Sequence, residues 1–456
     1  MPERFLAVVC GLLTRIGLAV RDPRARSHMP ELTLGLLCAD RPKTVTSVLE
    51  WLGRRDRDWS PFYRLLSQAK WSEEDLFKPI LHSCCQLAGP PGAPLISAQD
   101  DTLARKSGRK IPGITIGRDP LSLPFHVNLI PGQRFLQTVA LLSTAAPVPL
   151  FRGVPLGFLH APPLKPPRRA TEEQKRAVRE ARKKHNLGTF AAAELRRLRL
   201  ELDHCPGGRE RLLINAVDGG FANRTYLRAV PERTAVVARI RRDARFRAFL
   251  PPQQRRGSRK YGPDLPTPEQ MLADPAVPLQ TMEVAAGGQL HRLKFKVVEQ
   301  VCWPGVTGDT PVRVILIKPL GYRLRKHGKL LYRQPAFLVA VGADADLHGL
   351  IQAYFARWQI EVNFRDEKSL LGLGEAQLWN PESVHRGPAL LVACYSCLLL
   401  ASIIEFGDRR TPALEPLPRW RSDRPMRPST RELLRTLRSQ AEELRRSAAP
   451  QLAAVA

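Results

Sequence analysis

The stretch YFARWQIEVNFRDEKSLLGLG, residues 354–374, decides how the fold is interpreted. Helix-forming residues and apolar periodicity across LHGLIQAYFARWQIEVNFRDEKSLLGLG predict one long helix. Four of its polar residues are spaced by 3, 4 and 7 positions: Tyr354, Arg357, Glu361 and Lys368. On a helix that turns ~100° per residue, this spacing places all four within an arc of roughly 60°. A solvated helix face explains the Arg357–Glu361 pair, but it gives no reason for the other two to share that face.

A carboxylate flanked by two cations on one helix face is typical of phosphodiester chemistry. The acid can bind a divalent metal ion while the cations bind phosphate oxygens. Mg²⁺ prefers oxygen ligands and usually binds one or two carboxylates, so we expect further acids from elsewhere in the chain. Acids also end two short apolar stretches that predict strands: Asp100 and Asp101 follow LISAQ, and Asp218 follows RLLINAV. Taken alone, each of these acids could equally be a turn residue or a helix cap.

The composition indicates a polyanionic partner. The 456 residues include 71 Lys and Arg but only 43 Asp and Glu, which gives a formal net charge of +28. Such an excess attracts phosphates, so nucleic acid is favoured and an anionic membrane surface is the alternative. The longest apolar run, residues 389–404, is shorter than the ~20 residues that span a bilayer, and it predicts a buried helix. Cys394 and Cys397 lie in this run, where core packing is favoured over metal or redox use.

Three blocks of the sequence together resemble the DDE insertion-sequence transposases. The blocks are LISAQDDTLARKSGRKIPG, LLINAVDGGFANRTYL with VVARIRRD, and YFARWQIEVNFRDEKSLLGLGEAQLWN. The third block is similar to that family's Tyr-(2)-Arg-(3)-Glu-(6)-Lys signature and matches it at all four positions. The resemblance covers roughly residues 30 to 405, and it implies an α/β fold with an RNase H-like catalytic core, a β-rich insertion and a helical N-terminal domain.

The same resemblance, with the composition, predicts the domain organisation. Asp218 and Glu361 are 143 positions apart, and a series of short β-rich stretches fills that interval. We expect the C-terminal tail to be partly disordered, with one short helix near residues 431–446. The predicted domains are a helical N-terminal DNA-binding domain (1–90), the first part of the RNase H-like core (91–245), a β-rich insertion (246–340), the second part of the core with the helix of the catalytic Glu (341–408), and an Arg/Pro-rich tail (409–456).

The resemblance also implies a mechanism, which is two-metal phosphoryl transfer. Asp100 or Asp101, together with Asp218 and Glu361, would hold two Mg²⁺ ions, for which Mn²⁺ would substitute. The family's Asp-x-Thr arrangement favours Asp100, with Thr102 in the Thr position, over Asp101. If the strand continues through both aspartates, only one of them can face the metal ions, because successive side chains of a strand point to opposite faces. The implied reaction is cleavage of DNA at transposon ends, followed by strand transfer into target DNA.

Candidate DNA contacts come from the signature and from basic or aromatic residues elsewhere. By resemblance, Arg357 and Lys368 would bind phosphates and Tyr354 would contact the DNA backbone. Trp303 follows a predicted strand of the insertion, where it could stack on an extruded base or simply pack in the core. The loop PPQQRRGSRKYG adds basic residues that are candidates for phosphate contact: Arg255, Arg256 and Lys260.

The implied partners are double-stranded DNA, as terminal inverted repeats and as target, and a second copy of the chain in a synaptic homodimer. We expect no membrane association and a bacterial cytoplasmic location at the nucleoid. Two other classes of protein remain open: a catalytically inactive or domesticated DNA-binding relative, and a different RNase H-like nuclease such as a resolvase. The presence of all three acids and the four-residue signature favours an active enzyme.

Overall fold

The computed structural model describes residues 4–453, except residues 109, 120, 121, 123, 124, 145–147, 256, 258, 259, 324–327, 415 and 418–425. Across the described residues the fold is mixed α/β, with a large mixed sheet and helices on both of its faces. This arrangement agrees with the α/β class that the sequence predicts.

The N-terminal part of the chain is helical. Its helices are α1 (Arg4–Gly17), α2 (Pro23–Arg26), α3 (Met29–Cys38), α4 (Val45–Trp51), α5 (Ser60–Ser67) and α6 (Glu73–Leu87). Ser72 caps the start of α6, because its side chain accepts a hydrogen bond from the backbone N–H of Asp75. Except for the short α2, these helices bury apolar residues in the same core as a long C-terminal helix, described below.

The large sheet contains eleven strands among the described residues. Its strands are β1 (Leu95–Arg105), β2 (Thr115–Arg118), β3 (Leu129–Ser143), β4 (Phe151–His160), β5 (Leu213–Val217), β6 (Thr234–Arg239), β7 (Arg247–Ala248), β8 (Gln280–Ala286), β9 (Gln289–Cys302), β10 (Pro311–Ile317) and, after a separate hairpin of β11 (Gly321–Arg323) and β12 (Leu330–Tyr332), β13 (Ala336–Gly342). The neighbour order is β2-β3-β1-β5-β6-β13-β10-β9-β7, with β4 beside β3 and β8 beside β9.

Strand direction divides the sheet into two regions. β1, β5 and β6 are mutually parallel, so their carboxyl ends lie at one edge. β3 is antiparallel to β1 and β4 is antiparallel to β3. The strands of the predicted 246–340 insertion extend this same sheet through β13, which pairs with β6. β13 therefore runs across the boundary predicted between residues 340 and 341.

Of the two helices that follow β4, the first is exposed and the second is partly buried. α7 (Glu172–Lys184) has no buried residue, so its basic side chains lie on a solvated helix. A two-residue break at His185 and Asn186 precedes α8 (Leu187–His204), which packs against β3. The shorter elements are α9 (Arg224–Leu227), α10 (Pro268–Ala273) and 3₁₀ turns at Gly208–Glu210, Gly219–Phe221 and Pro252–Gln254.

The predicted long helix over residues 347–374 is wrong, because the chain forms two helices there. They are α11 (Leu347–Ala356) and α12 (Gln359–Ser369). Between them, Arg357 and Trp358 keep right-handed helical backbone angles, but the N–H groups of Ile360 and Glu361 bond to carbonyls three residues back rather than four. Such a tight turn re-aims the second helix. Both helices cover one face of the sheet, which places Glu361 in the first turn of α12.

The C-terminal region is more ordered than the sequence suggests. α13 (Ser383–Phe406) is apolar and long enough to cross a membrane, yet 83% of its apolar segment is buried in the protein. The prediction of a buried helix is confirmed, and Cys394 and Cys397 are fully buried in it. The predicted short helix near 431–446 is instead α14 (Thr430–Ala453), which packs against α1, α3 and α13. The apolar residues Leu433 and Leu437 supply the packing that orders it.

Candidate active site

β1 carries both candidate aspartates of the first block, and the strand does not end at them. It continues to Arg105, with Asp100 opposite Gln137 and Asp101 opposite Leu136 on β3. The two side chains therefore point to opposite faces of the sheet. Asp100 shares the face of α12, since its carboxylate lies within hydrogen-bond distance of Arg357 at the start of that helix. Asp101 shares the opposite face with Gln99, whose side chain reaches α8.

Asp218 lies directly after β5, at the carboxyl edge of the parallel strands. Its Oδ1 accepts a hydrogen bond of 2.7 Å from the backbone N–H of Gly220 and so caps the 3₁₀ turn that follows. The structural role that the sequence leaves open for this residue is therefore present, but its position at the strand end also brings its charge near the other acids.

Arg357 joins the first and third acids. Its Nη1 donates to Oδ2 of Asp100 and its Nη2 donates to Oε1 of Glu361, both at 3.2 Å. The guanidinium is 15% exposed, and the carboxylates of Asp100 and Glu361 are 17% and 34% exposed. The spacing of four residues between Arg357 and Glu361 predicts this contact on a helix, and the contact survives the tight turn between α11 and α12.

The electrostatics show that the three acids share one environment. Burial and the nearby charge of Asp218 raise the pKa of Asp100 to about 7, although Arg357 opposes the rise. Burial also raises the pKa of Glu361, again with Arg357 opposing and Asp218 contributing. For Asp101, burial raises the pKa while Arg134 opposes the rise. Crowded carboxylates of this kind favour a bound cation, because each disfavours the ionised form of its neighbours.

The donor set suits a hard divalent cation, since Asp100, Asp218 and Glu361 offer only carboxylate oxygens. Arg357 lies between Asp100 and Glu361 and supplies the positive charge there. Within the described part of the chain, no group of three His, Cys, Asp or Glu side chains is close enough to coordinate one ion together. The three carboxylates therefore affect one another electrostatically, but they are not close enough to coordinate one ion together.

The remaining signature residues lie farther from the acids. Tyr354 is half-buried on α11, where its ring contacts Phe355 at a centroid distance of 5.9 Å. Lys368 is seven residues beyond Glu361, which is about 10 Å along a helix. Its Nζ lies 5.9 Å from the ring of Phe364, and its charge interacts with Glu367 and Asp119. The structure thus brings Arg357 to the carboxylates, whereas among the described residues neither Tyr354 nor Lys368 forms a hydrogen bond or ion pair with them.

Trp303 lines a cleft that opens beside Asp218. The tryptophan follows β9, is half-buried, and packs its ring 5.4 Å from that of Phe246. The cleft has a volume of about 840 Å³ and extends from Gly219, next to Asp218, to Trp303. Three arginines also line it: Arg239, Arg241 and Arg242. Trp303 therefore packs against Phe246 and also lines the cleft.

In the basic loop after β7, Arg255 forms hydrogen bonds within the protein, whereas Lys260 is exposed. Arg255 donates to the carboxylate of Asp309 at 2.6 Å and to the carbonyl of Leu250 at 3.0 Å. Lys260 is exposed, and its charge lowers the pKa of Asp309 less than the hydrogen bond from Arg255 does. Arg256 lies outside the described residues. Of this predicted trio, Arg255 is therefore engaged in an internal ion pair.

A buried link between α12 and the sheet is absent from the sequence-based prediction. Glu367 is fully buried, and its Oε1 accepts a hydrogen bond from Nε2 of Gln137, the cross-strand neighbour of Asp100. Burial raises the pKa of Glu367 to about 8. This contact anchors α12 on the sheet beside the first acid. Its sequence signal is weak: Gln137 is a polar residue in an apolar run, but Glu367 lies between Asp366 and Lys368, where nothing indicates burial.

The start of α14 and the segment before it make a second link to α12. Thr430 donates its hydroxyl to Oδ2 of Asp366 at 2.7 Å, and Arg427 donates to Oε1 of Gln359 at 3.0 Å. Nearby, Arg152 and Asp408 form a buried ion pair at 2.6 Å. The C-terminal region therefore reaches back to the helix that carries Glu361, which a tail predicted to be partly disordered would not do.

Comparison with known proteins identifies the family of the chain. The sequence profile described as DDE superfamily endonuclease matches residues 19–293, which is more than half of the chain and includes Asp100 and Asp218 but not Glu361. A comparison with curated proteins finds no match. Members of this family are endonucleases that act on DNA and generally use divalent metal ions. The chain belongs to the DDE superfamily endonucleases.

Proposed function

We propose that this endonuclease is a transposase that cleaves DNA at transposon ends and joins those ends to target DNA. The observation that carries the proposal is the convergence of three acids from separate elements. Asp100 comes from β1, Asp218 from the end of β5 and Glu361 from α12. The charge of Asp218 acts on both other acids, and Arg357 pairs with Asp100 and Glu361. Acids placed inside a strand, at a strand end and on a flanking helix suit phosphoryl transfer, because each can approach the same substrate phosphate.

The strand order supports an RNase H-like core for this chain. β4-β3-β1-β5-β6 forms a mixed sheet in which three consecutive antiparallel strands are followed by two strands parallel to β1. β1 lies at the centre of this group, and the helix of Glu361 covers it on one face. The strands from β7 to β12 interrupt the core between β6 and β13, as expected for a β-rich insertion between the second and third acids.

Asp100, Asp218 and Glu361 are the proposed ligands of two Mg²⁺ ions, for which Mn²⁺ would substitute. When bound, two such ions activate the attacking oxygen and stabilise the leaving oxygen of an in-line displacement. Asp100 is preferred over Asp101 because its side chain shares a face of the sheet with α12, whereas Asp101 points to the face of α8. The raised pKa of Asp100 is consistent with a carboxylate whose ionised form needs a nearby cation.

The residues around the acids have proposed roles in holding DNA. Arg357 is placed to exchange its carboxylate partners for a phosphate of the scissile region. Tyr354 and Lys368 complete the proposed Tyr-Arg-Glu-Lys signature as contacts to the DNA backbone farther along the strand. Trp303 would present its free side to a base that enters the cleft beside Asp218.

The proposed partners follow from the proposed reaction. Terminal inverted repeats and target DNA would both be double-stranded, and the pairing of two ends would require a homodimer in the synaptic complex. The formal net charge of the chain, +28, supports binding to the DNA backbone. A transposase of this kind would act at the bacterial nucleoid.

The experiment that tests the proposal compares two DNA substrates in Mg²⁺. One duplex carries the inverted repeats that bound the element encoding this chain, and the other has those repeats scrambled. We expect nicking and strand transfer only with the intact repeats, and no reaction in EDTA. DNA binding without nicking would indicate an inactive or domesticated relative. Equal cleavage of both duplexes would indicate a different nuclease, and either outcome would refute the transposase assignment.

A further inference from the structure

A second basic groove lies on the insertion, apart from the carboxylates and from the cleft at Trp303. It has a volume of about 530 Å³ and lies between β9, the end of β10 and the β11–β12 hairpin. Its cations are Arg292, Lys294 and Lys318, and we call these three residues the basic groove. Tyr332 on the hairpin is 66% exposed and forms one wall of it.

The lysines of the basic groove face each other. The backbone N–H of Lys318 bonds to the carbonyl of Lys294, which continues the β9–β10 ladder by one residue, so the two side chains lie on the same face of the sheet. Arg292 shares that face because it is two residues from Lys294. Like charges directly opposite each other on neighbouring strands destabilise a sheet. An anion bound between them would remove that cost.

The cations of the basic groove form no ion pairs with the described part of the chain. Many arginines elsewhere are paired with acids, as in the ion pairs Arg313–Glu299 and Arg255–Asp309. Among the residues that the structure describes, no ion pair involves Arg292, Lys294 or Lys318. Glu283 lies across from Arg292 in the β8–β9 register, but the two side chains do not form an ion pair. The groove therefore presents three uncompensated positive charges beside an exposed aromatic ring.

The basic groove lies at the same edge of the sheet as Asp218. Asp218 follows the end of β5, whose neighbour β6 ends beside the start of β13, and the start of β13 pairs with the end of β10 before Lys318. Lys318 is thus three strands from β5, and Lys294 is four strands away. At a spacing of ~4.8 Å per strand, these separations are at least about 14 and 19 Å. Along duplex DNA, with ~3.4 Å between successive base pairs, these minimum separations correspond to at least about 4 and 6 base pairs.

We infer that the basic groove is a second DNA-binding surface, which holds the phosphate backbone of the duplex about 4–6 base pairs from the cleaved bond. The inference rests on the proposed function for the direction in which DNA runs from Asp218. Duplex DNA is the occupant that the observations favour, because a β-hairpin and adjacent lysines suit contact with a grooved, regularly spaced polyanion. The contact is to phosphates and carries no sequence information of its own.

The test measures DNA binding in a series of salt concentrations by fluorescence anisotropy, with Ca²⁺ in place of Mg²⁺ so that cleavage is not required. The double variant Lys294→Gln/Lys318→Gln should bind a labelled duplex at least about tenfold more weakly. Its salt slope should fall by about two units, since each lost phosphate contact removes about 0.9. An unchanged affinity and slope would overturn the inference.

A matched control removes the same charge elsewhere. Arg431 and Arg435 are exposed on α14, and the double variant Arg431→Gln/Arg435→Gln should keep the wild-type slope to within about half a unit. An equal loss in this control would show that net charge, rather than the basic groove, determines binding, and would overturn the inference. Wild-type binding without cleavage in Mg²⁺ would refute the transposase proposal but leave this binding test valid.

A second measurement does not depend on the stability of the variants. Uncharged methylphosphonates are placed in the duplex about 4–6 base pairs from the mapped cleavage point. They should weaken binding by the wild-type protein and have no further effect on the Lys294→Gln/Lys318→Gln variant, because both changes remove the same contacts. Additive losses would place the lysines on other phosphates and would contradict the proposed path of the DNA.

Discussion

Replacing Glu367 by Gln tests the buried link that anchors α12. The carboxylate of Glu367 is fully buried, and its Oε1 accepts from Gln137. Two buried oxygens of this same pair lack a hydrogen-bond donor in the structure: Oε2 of Glu367 and Oε1 of Gln137. A proton on Glu367 supplies that donor and removes a buried charge. Both effects favour the neutral acid in the folded protein.

The sign of the pH effect follows from the direction of the shift. The pKa of Glu367 is about 8 in the folded protein, against an ordinary value of 4.5. Between these values the folded state holds a proton that the unfolded chain releases. The contribution of Glu367 to stability is therefore fully present below pH 4.5 and is lost as the pH rises through 8. At 1.36 kcal/mol per pH unit, the loss is about 5 kcal/mol in full.

The assay is urea unfolding followed by circular dichroism at pH 5 and at pH 8.5. Glu367→Gln keeps a donor and an acceptor toward Gln137 but cannot ionise, so we expect it to lose less stability than the wild type between these two pH values. The difference between the two losses should be about 4 kcal/mol, which is most of the full effect. The exposed Glu180, replaced by Gln, is the control, and it should lose as much stability as the wild type. If Glu367→Gln retains the full wild-type pH dependence, the buried neutral acid is refuted.

Three further predictions concern other residues of the site and its support. Asp100→Asn should abolish DNA cleavage while Asp101→Asn retains it, and equal loss in both would contradict the face assignment. Lys368→Ala should lower the salt slope of DNA binding by about one unit; an unchanged slope places Lys368 away from phosphate. Thr430→Val should lower the free energy of unfolding by about 1–3 kcal/mol in a urea titration, because Asp366 loses a buried donor. An unchanged free energy would show that the tail does not support α12.

Local patterns in the sequence predict the parts of the site that depend on strand ends and helix spacing. The apolar run before Asp218 predicts a strand that ends at this acid, and the four-residue spacing of Arg357 and Glu361 predicts their contact. Both features depend on residues close together in the chain. The prediction that only one of Asp100 and Asp101 faces the metal ions depends on the period of two in a strand. Because β1 continues through both aspartates, their side chains do point to opposite faces.

Features set by tertiary packing were not predictable in this way. The turn between α11 and α12 contains neither Pro nor Gly, so the local sequence does not predict a break in the helix there. The break occurs where both helices pack on the twisted sheet. Arg427 and Thr430 lie in a segment whose Arg and Pro content indicates disorder. They are ordered by contacts with α12, which is about 60 residues away in the chain.

The net charge of the chain is also insufficient to identify the residues that bind a partner. A net charge of +28 predicts a polyanionic partner, but it does not say which cations face that partner. The structure separates arginines that serve internal ion pairs, such as Arg152 with Asp408, from cations that remain uncompensated in the basic groove. That distinction depends on partners distant in sequence, so only the folded arrangement supplies it.

The central claim, that three acids form a metal-dependent catalytic site, is tested most directly at Glu361. Wild-type protein and Glu361→Gln are compared in Mg²⁺ on a duplex that carries the terminal repeats, with binding measured in parallel. The account predicts that the variant cleaves at least about 1,000-fold more slowly while its affinity for DNA stays within about threefold, because the change removes a metal ligand and no cation. Cleavage by Glu361→Gln at the wild-type rate would contradict the account.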